Sequence, residues 1–238
     1  MLVYGRNVAK EILQNPKNVK KVILQDNFDD KAINSLIEKS KLRVEMLPKF
    51  KIDDLCDGAH QGIILDITDY QYSRLEDILS NNPDFIVILD HIEDPHNLGA
   101  IIRTSEAASV DAIVIPKDRQ VGVNSTVMKT SAGALSNMKV SMVSNLVQTM
   151  EKLKKEGFWI VGTAMENSVD YRTIDYSGKI ALVIGNEGKG ISRLVRESCD
   201  FVATIPMKGK INSLNASVAS GIMIYEVVRN RKWGISEI

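Results

Sequence analysis

Three short stretches concentrate the side chains able to do chemistry. The first is Asp90-His91-Ile92-Glu93-Asp94-Pro95-His96-Asn97-Leu98-Gly99, which runs into Ala100-Ile101-Ile102-Arg103-Thr104. Asn97 suits a helix N-cap, and Arg103 follows six residues later, near two turns on, where it is expected to face the same crevice. An unpaired guanidinium in that small, apolar setting is costly, which points to a ligand rather than a bare surface charge. Asp90, His91, Glu93, Asp94 and His96 also make the donor set of a metal-dependent phosphoesterase, the competing reading. Catalytic metals usually draw ligands from several strands, whereas these donors share one loop and the remaining histidine, His60, lies far away. No metal is therefore expected.

The second stretch is Gly185-Asn186-Glu187-Gly188-Lys189-Gly190-Ile191-Ser192. A glycine-rich turn between strand and helix invites a phosphate cradle, but the spacing fits neither G-x-G-x-x-G nor a Walker loop. Glu187 would also set a negative charge where phosphates need a positive one. The glycines suit close backbone approach by a ligand without phosphates. The third stretch, Ile205-Pro206-Met207-Lys208-Gly209-Lys210-Ile211-Asn212-Ser213-Leu214-Asn215-Ala216-Ser217, opens a long segment of helical pattern. Ser213 and Asn215 can cap that helix or present a hydroxyl and an amide to a ligand. The helix is small and apolar on both sides, as at a buried subunit contact.

The elements that position these loops follow from the apolar runs. Residues 85–90, 112–115, 140–143, 159–162, 180–184 and 201–205 read as strands. Their continuous β-branched character belongs to a parallel sheet buried on both faces. Helical patterns over 98–108, 124–134, 145–156, 192–198 and 214–231 alternate with them, giving βα units. Residues 1–70 form a smaller α/β unit with strands at 19–24, 43–47 and 62–67 and helices at 7–13 and 30–39. The polar stretch 71–83, with Asn81-Asn82-Pro83, reads as a linker, and 84–238 as the second domain. In such sheets, ligands bind at the carboxyl ends of the strands, where all three loops fall.

Composition narrows the classes. With 30 basic and 30 acidic residues among 238, the chain has no net charge, so nucleic acid must be held by local patches rather than bulk attraction. The 44% hydrophobic and 25% charged content argues against disorder. No apolar run approaches the roughly 20 residues of a membrane span, and the first residues lack a signal peptide, so a soluble, cytoplasmic protein without a membrane partner is expected. Cys56 and Cys199 lie far apart and read as buried, reduced thiols.

Together the three loops resemble the motifs of the SpoU class of SPOUT RNA ribose 2′-O-methyltransferases. The likeness rests on Asp94-Pro95-His96-Asn97-Leu98-Gly99 through Arg103-Thr104, on Ile184-Gly185-Asn186-Glu187-Gly188-Lys189-Gly190, and on Ile205-Pro206-Met207 with Ser213-Leu214-Asn215-Ala216-Ser217. Their order and spacing match across about 150 residues. Residues 1–70, with Tyr4-Gly5-Arg6-Asn7-Val8, look like the small ribosomal-protein-like RNA-binding domain carried by many members, and the 23S ribosomal RNA guanosine-2′-O-methyltransferase branch is the most similar. The resemblance implies an α/β SPOUT domain with a parallel sheet and a deep trefoil knot, a homodimer, S-adenosyl-L-methionine as cofactor and RNA as substrate. Ribosomal RNA is preferred, with transfer RNA as the alternative. It further implies Asn97, Arg103, Glu187, Ser213 and Asn215 as the catalytic set. Thr163, Gly185, Glu187, Gly188, Ile205, Met207, Ser213 and Leu214 would lie around the cofactor. Arg103 is expected to hold an RNA phosphate and stabilise the developing alkoxide, its fork fixed by Glu187, Asn97 and Ser213.

Overall fold

The computed structural model describes residues 1–56, 58–210 and 213–231. In chain order, the first elements are β1 (Leu2–Tyr4), α1 (Arg6–Gln14), β2 (Val19–Gln25), α2 (Lys31–Ser40), β3 (Val44–Leu47), α3 (Lys49–Asp53) and β4 (Ile63–Ile67). They are followed by α4 (Leu75–Leu79), β5 (Phe85–Asp90), α5 (Pro95–Ala107), β6 (Ala112–Pro116), α6 (Ser125–Thr130), β7 (Lys139–Val143), α7 (Leu146–Lys155) and β8 (Phe158–Thr163). The chain continues through β9 (Val169–Asp170), β10 (Lys179–Gly185), α8 (Arg193–Glu197), β11 (Phe201–Thr204) and α9 (Ala216–Asn230).

The contacts divide the chain into two compact units, residues 1–71 with 123–133, and residues 72–122 with 134–238. In the first, the sheet order is β1-β4-β2-β3, with β4 antiparallel to both β1 and β2, and β2 parallel to β3. The carboxyl ends of β1, β2 and β3 therefore share one edge with the amino end of β4. Alternation along the strands sends Val22, Leu24, Ile63 and Leu65 to the face covered by Val8, Leu13, Ile33 and Ile37. Ile23 and Ile64 meet Ile52 on the other face. Asp30 starts α2 by accepting the backbone N–H groups of Ala32 and Ile33.

The second unit holds a seven-stranded sheet in the order β7-β6-β5-β10-β8-β11-β9, parallel at every pairing. Every residue of β5 is buried, as are Ile180 to Ile184 of β10, which explains why these strands read as unbroken apolar runs. From β5 the chain moves outward through β6 and β7, then crosses to build the other half. This reversal puts the crevice at the carboxyl ends of the central strands.

Several expectations are corrected. The stretch 71–83 is not a free linker: α4 lies within it, and Leu75 and Ile78 are part of the second unit's core. The helix expected at 124–134 starts as its Asn124 cap suggests but ends at Thr130, because Ala132 and Gly133 turn to positive φ. That segment groups with the first unit, where Met128 packs on the core. The strands β1 and β9 and the helix α3 were not anticipated. Cys199 is half-buried rather than buried; that burial, with the Asp200 carboxylate beside it, pushes the thiol up to about 12, so it stays protonated.

Candidate functional site

The carboxyl ends of β5 and β10 lie side by side, with Asp90 opposite Gly185 in the register. Asp90 is only 1% exposed. Its carboxylate accepts the Ser192 backbone N–H at 2.5 Å and pairs with His91 Nδ1 at 2.5 Å. Asn186 Nδ2 donates to the His91 carbonyl at 2.8 Å, a second tie between the first two loops. Asp90 is thus committed to holding the loops together. Among the described residues, no cluster of three or more His, Cys, Asp and Glu side chains is arranged to hold a metal ion. The phosphoesterase reading gains no support from this geometry.

The glycine-rich loop folds back on itself. Asn186 and Gly190 exchange backbone hydrogen bonds of 3.1 and 2.9 Å. The Asn186 side-chain oxygen accepts the N–H groups of Gly188 and Lys189. Gly190 supplies the left-handed φ of 65° that closes the turn. A Cβ on Gly185 would lie 2.2 Å from the Gly190 carbonyl carbon, so only glycine fits beneath the returning loop.

A polar chain then joins all three loops. Asn215 Nδ2 donates to Asn97 Oδ1 at 2.9 Å, and Asn97 Nδ2 donates to Glu187 Oε1 at 2.5 Å. Asn215 also caps α9 by accepting the N–H groups of Ser217 and Val218. Asn97 is not a helix cap as expected. Asp94 fills that role, accepting the His96 N–H with Pro95 at the first helical position, and this frees the buried Asn97 amide to bridge. A bond to a carboxylate contributes about 1.5–3 kcal/mol, nearer the low end where the carboxylate is exposed, as Glu187 is. Replacing Asn97 with alanine should leave the exposed Glu187 and Asn215 to water, lowering the melting temperature only slightly but freeing Glu187 and weakening cofactor binding roughly tenfold, as read by thermal denaturation and calorimetric titration.

Beside this chain opens a cavity of about 490 Å³ at the ends of β8, β10 and β11. Its lining includes Thr163, Gly185, Glu187, Gly188, Ile205, Met207, Ser213 and Leu214. Thr163 is fixed by its hydroxyl donating to the Val183 carbonyl at 3.0 Å. Asn186, Ala216 and Ala219 also line it and were not singled out from sequence. Asn97 and Asn215 are absent from that lining and stand behind it, holding Glu187 and α9.

Arg103 is absent from that lining. Six residues of helix carry it about 9 Å along the axis from Asn97 and about 120° around it. Accordingly Asn97 is buried while Arg103 is exposed. Among the described residues no hydrogen bond or ion pair joins its guanidinium to Glu187, Asn97 or Ser213, and Glu187 Oε1 accepts from Asn97.

The cavity suits S-adenosylmethionine. Its volume is in the range of small-molecule sites. Apolar walls from Ile184, Ile205 and Leu214 meet backbone groups and charges that balance, Glu166 and Glu187 with Lys189 and Arg196, and the Glu187 carboxylate can face a sulfonium cation.

Comparison with known proteins agrees with this geometry. The model described as the SpoU rRNA Methylase family matches residues 84–225, and the one described as RNA 2′-O ribose methyltransferase substrate binding matches residues 2–73. A Staphylococcus saprophyticus protein, provisionally named a TrmH family tRNA/rRNA methyltransferase, is 43% identical over 98% of this chain and 97% of its own. The similarly named YacO of Bacillus subtilis is 42% identical over 96% of this chain and 95% of its own. Among solved structures, an AdoMet-bound rRNA methyltransferase from Sinorhizobium meliloti aligns with a TM-score of 0.77 at 26% identity, covering 96% of this chain and 86% of that one. The SpoU methyltransferase AviRb from Streptomyces viridochromogenes, solved with AdoMet, shares the fold with a TM-score of 0.82 at 24% identity, covering 98% and 91%. The chain belongs to the SpoU rRNA methylase family of RNA methyltransferases, and its cofactor is S-adenosylmethionine.

Proposed function

We propose that this protein methylates a ribose 2′-hydroxyl of structured RNA, with a guanosine of 23S ribosomal RNA as its target. The observation that carries the reading is the Asn215–Asn97–Glu187 chain, which sets a carboxylate at the wall of the cavity at the ends of β8, β10 and β11. The match of residues 2–73 to a 2′-O ribose methyltransferase substrate-binding model supports ribose as the acceptor.

When bound, S-adenosylmethionine supplies an electrophilic methyl group on a sulfonium. Thr163, Gly185, Gly188, Ile205, Met207 and Leu214 would hold it, largely through backbone and apolar contact, with Glu187 balancing its charge. A ribose hydroxyl is a weak nucleophile until its proton is drawn away. Arg103 cannot draw it, since guanidinium stays protonated and has no acceptor. Exposed on α5, Arg103 would grip an RNA phosphate and stabilise the alkoxide as it forms, while the exposed Ser213 hydroxyl would hydrogen-bond the incoming ribose.

The homodimer belongs to the same reading. Val218 and Tyr225, seven residues apart on α9, are about half exposed and form an apolar stripe suited to a second copy. The deep trefoil knot belongs to that reading too: α9 returns to pack on α5 and β10 near the middle of the sheet although it follows β11 near one edge, and the knot would lie along that return. Residues 1–70 would serve as the ribosomal-protein-like RNA-binding domain.

Because no metal takes part in this account, methyl transfer into pre-folded RNA should survive EDTA at full rate. Loss of transfer that one divalent ion restores would contradict it. The target is tested by mass-spectrometric mapping of ribose methylation in ribosomal and transfer RNA from cells with and without the gene. A single 23S guanosine should lose its methyl group, whereas loss at a transfer RNA position would move the substrate assignment.

A further inference from the structure

A second cavity, of about 760 Å³, lies in the first unit at the edge where β1, β2 and β3 end and β4 begins. Its lining includes flat and amide side chains in fixed positions. Arg6 lies over the Phe28 ring, 5.1 Å from its centroid, and its Nε donates to the Gln61 carbonyl at 3.3 Å. The Arg6 backbone N–H donates to Gln61 Oε1 at 2.8 Å, which leaves the Gln61 amide donors available. Phe28 sits close over Gly62, where a Cβ would come within 3.0 Å of the ring. His60 is buried; its Nδ1 accepts the Gly62 N–H at 3.0 Å, so its proton is on Nε2 and is donated to Asp53 at 2.7 Å.

The charges are balanced. Arg6 and Lys49 face Asp29 and Asp53 across the lining, and Arg6 is further paired with Asp30 at 3.8 Å. A site built for phosphate would carry a cation excess, since backbone binding rests on neutralising phosphate charge. Stacking plates with mixed donors and acceptors serve base recognition instead.

We propose that this cavity takes one unpaired guanine of the RNA, its face on the Arg6 guanidinium that Phe28 backs and its pairing edge against the Asp29 carboxylate. Guanine is the only common base with two adjacent N–H donors on that edge, the pattern a carboxylate accepts. Phe28 thereby contributes affinity for any base, and Asp29 contributes selectivity. The inference rests on RNA being the substrate and adds a specificity site distant in sequence from the methyl-transfer loops.

The test uses the full chain and fluorescence anisotropy with RNA hairpins that are identical except for G, A, C or U at one loop position, at fixed salt. The parent protein should bind the G hairpin tightest. Phe28→Leu should weaken binding to all four by roughly tenfold or more, the scale of a lost stacking contact, and Phe28→Tyr should restore it. Asp29→Asn should erase the preference for G while leaving the other three affinities in place. Calorimetric affinity for S-adenosylmethionine should be unchanged in all variants, which separates an altered pocket from an altered fold. Variants that bind like the parent, or a parent preference for another base, would overturn the proposal. A parent chain that binds S-adenosylmethionine but none of the hairpins would overturn the RNA reading and this site with it.

Discussion

Gly185→Ala is expected to abolish useful cofactor binding while leaving the protein folded. The added methyl would stand 2.2 Å from the Gly190 carbonyl carbon and 2.3 Å from the Ile191 nitrogen, both backbone atoms that no rotamer change can move aside. Overpacking against flexible side chains costs about 1–3 kcal/mol. Here the loop itself must lift, and with it Glu187 and Gly188, which line the cavity. A penalty of about 3 kcal/mol falls on the bound geometry, a loss of over 100-fold in affinity. Calorimetry with S-adenosylmethionine reads this directly. The sheet should persist, because Gly185 is the last residue of β10 and the strand's buried stretch precedes it. Near-parental affinity would show that the loop from Asn186 to Gly190 does not hold the cofactor.

Arg103→Ala should behave in the opposite way, losing about 10²–10³-fold in the rate of transfer, the scale of a removed charge stabiliser, with cofactor affinity unchanged. The separation follows from position: Arg103 is exposed on α5 and absent from the cavity lining. Single-turnover methyl transfer measured beside calorimetric binding distinguishes the two effects. A variant whose cofactor affinity falls in step with its rate would place Arg103 at the cofactor instead.

What the sequence made legible follows from where the physical signal is local. The parallel sheet was readable because β5 and β10 are buried on both faces and so carry no polar alternation. The strands β1 and β9 were not, since three and two residues carry no periodicity. The start of α5 carries two competing signals, and Asp94-Pro95, a cap followed by proline at the first helical position, prevails over Asn97. Reading Asn97 as the cap obscured its bridging role. Arg103 is exposed where Asn97 is buried, because six residues of helix do not return to the same face. The packing of Met128 with the first unit is a tertiary choice that no local pattern encodes. The Asp90 to Ser192 bond likewise joins residues 102 apart and becomes visible only when β5 and β10 lie together.

The most direct test is to supply the purified protein with S-adenosylmethionine carrying a deuterated methyl group and with ribosomal or transfer RNA. The RNA is then digested to nucleosides, and mass spectrometry locates the label on base or ribose. This account predicts deuterated methyl on the ribose 2′-oxygen of a single nucleoside type, present with EDTA and absent with Arg103→Ala. Label on a nucleobase, or no label on either RNA while calorimetry shows the cofactor bound, would contradict it.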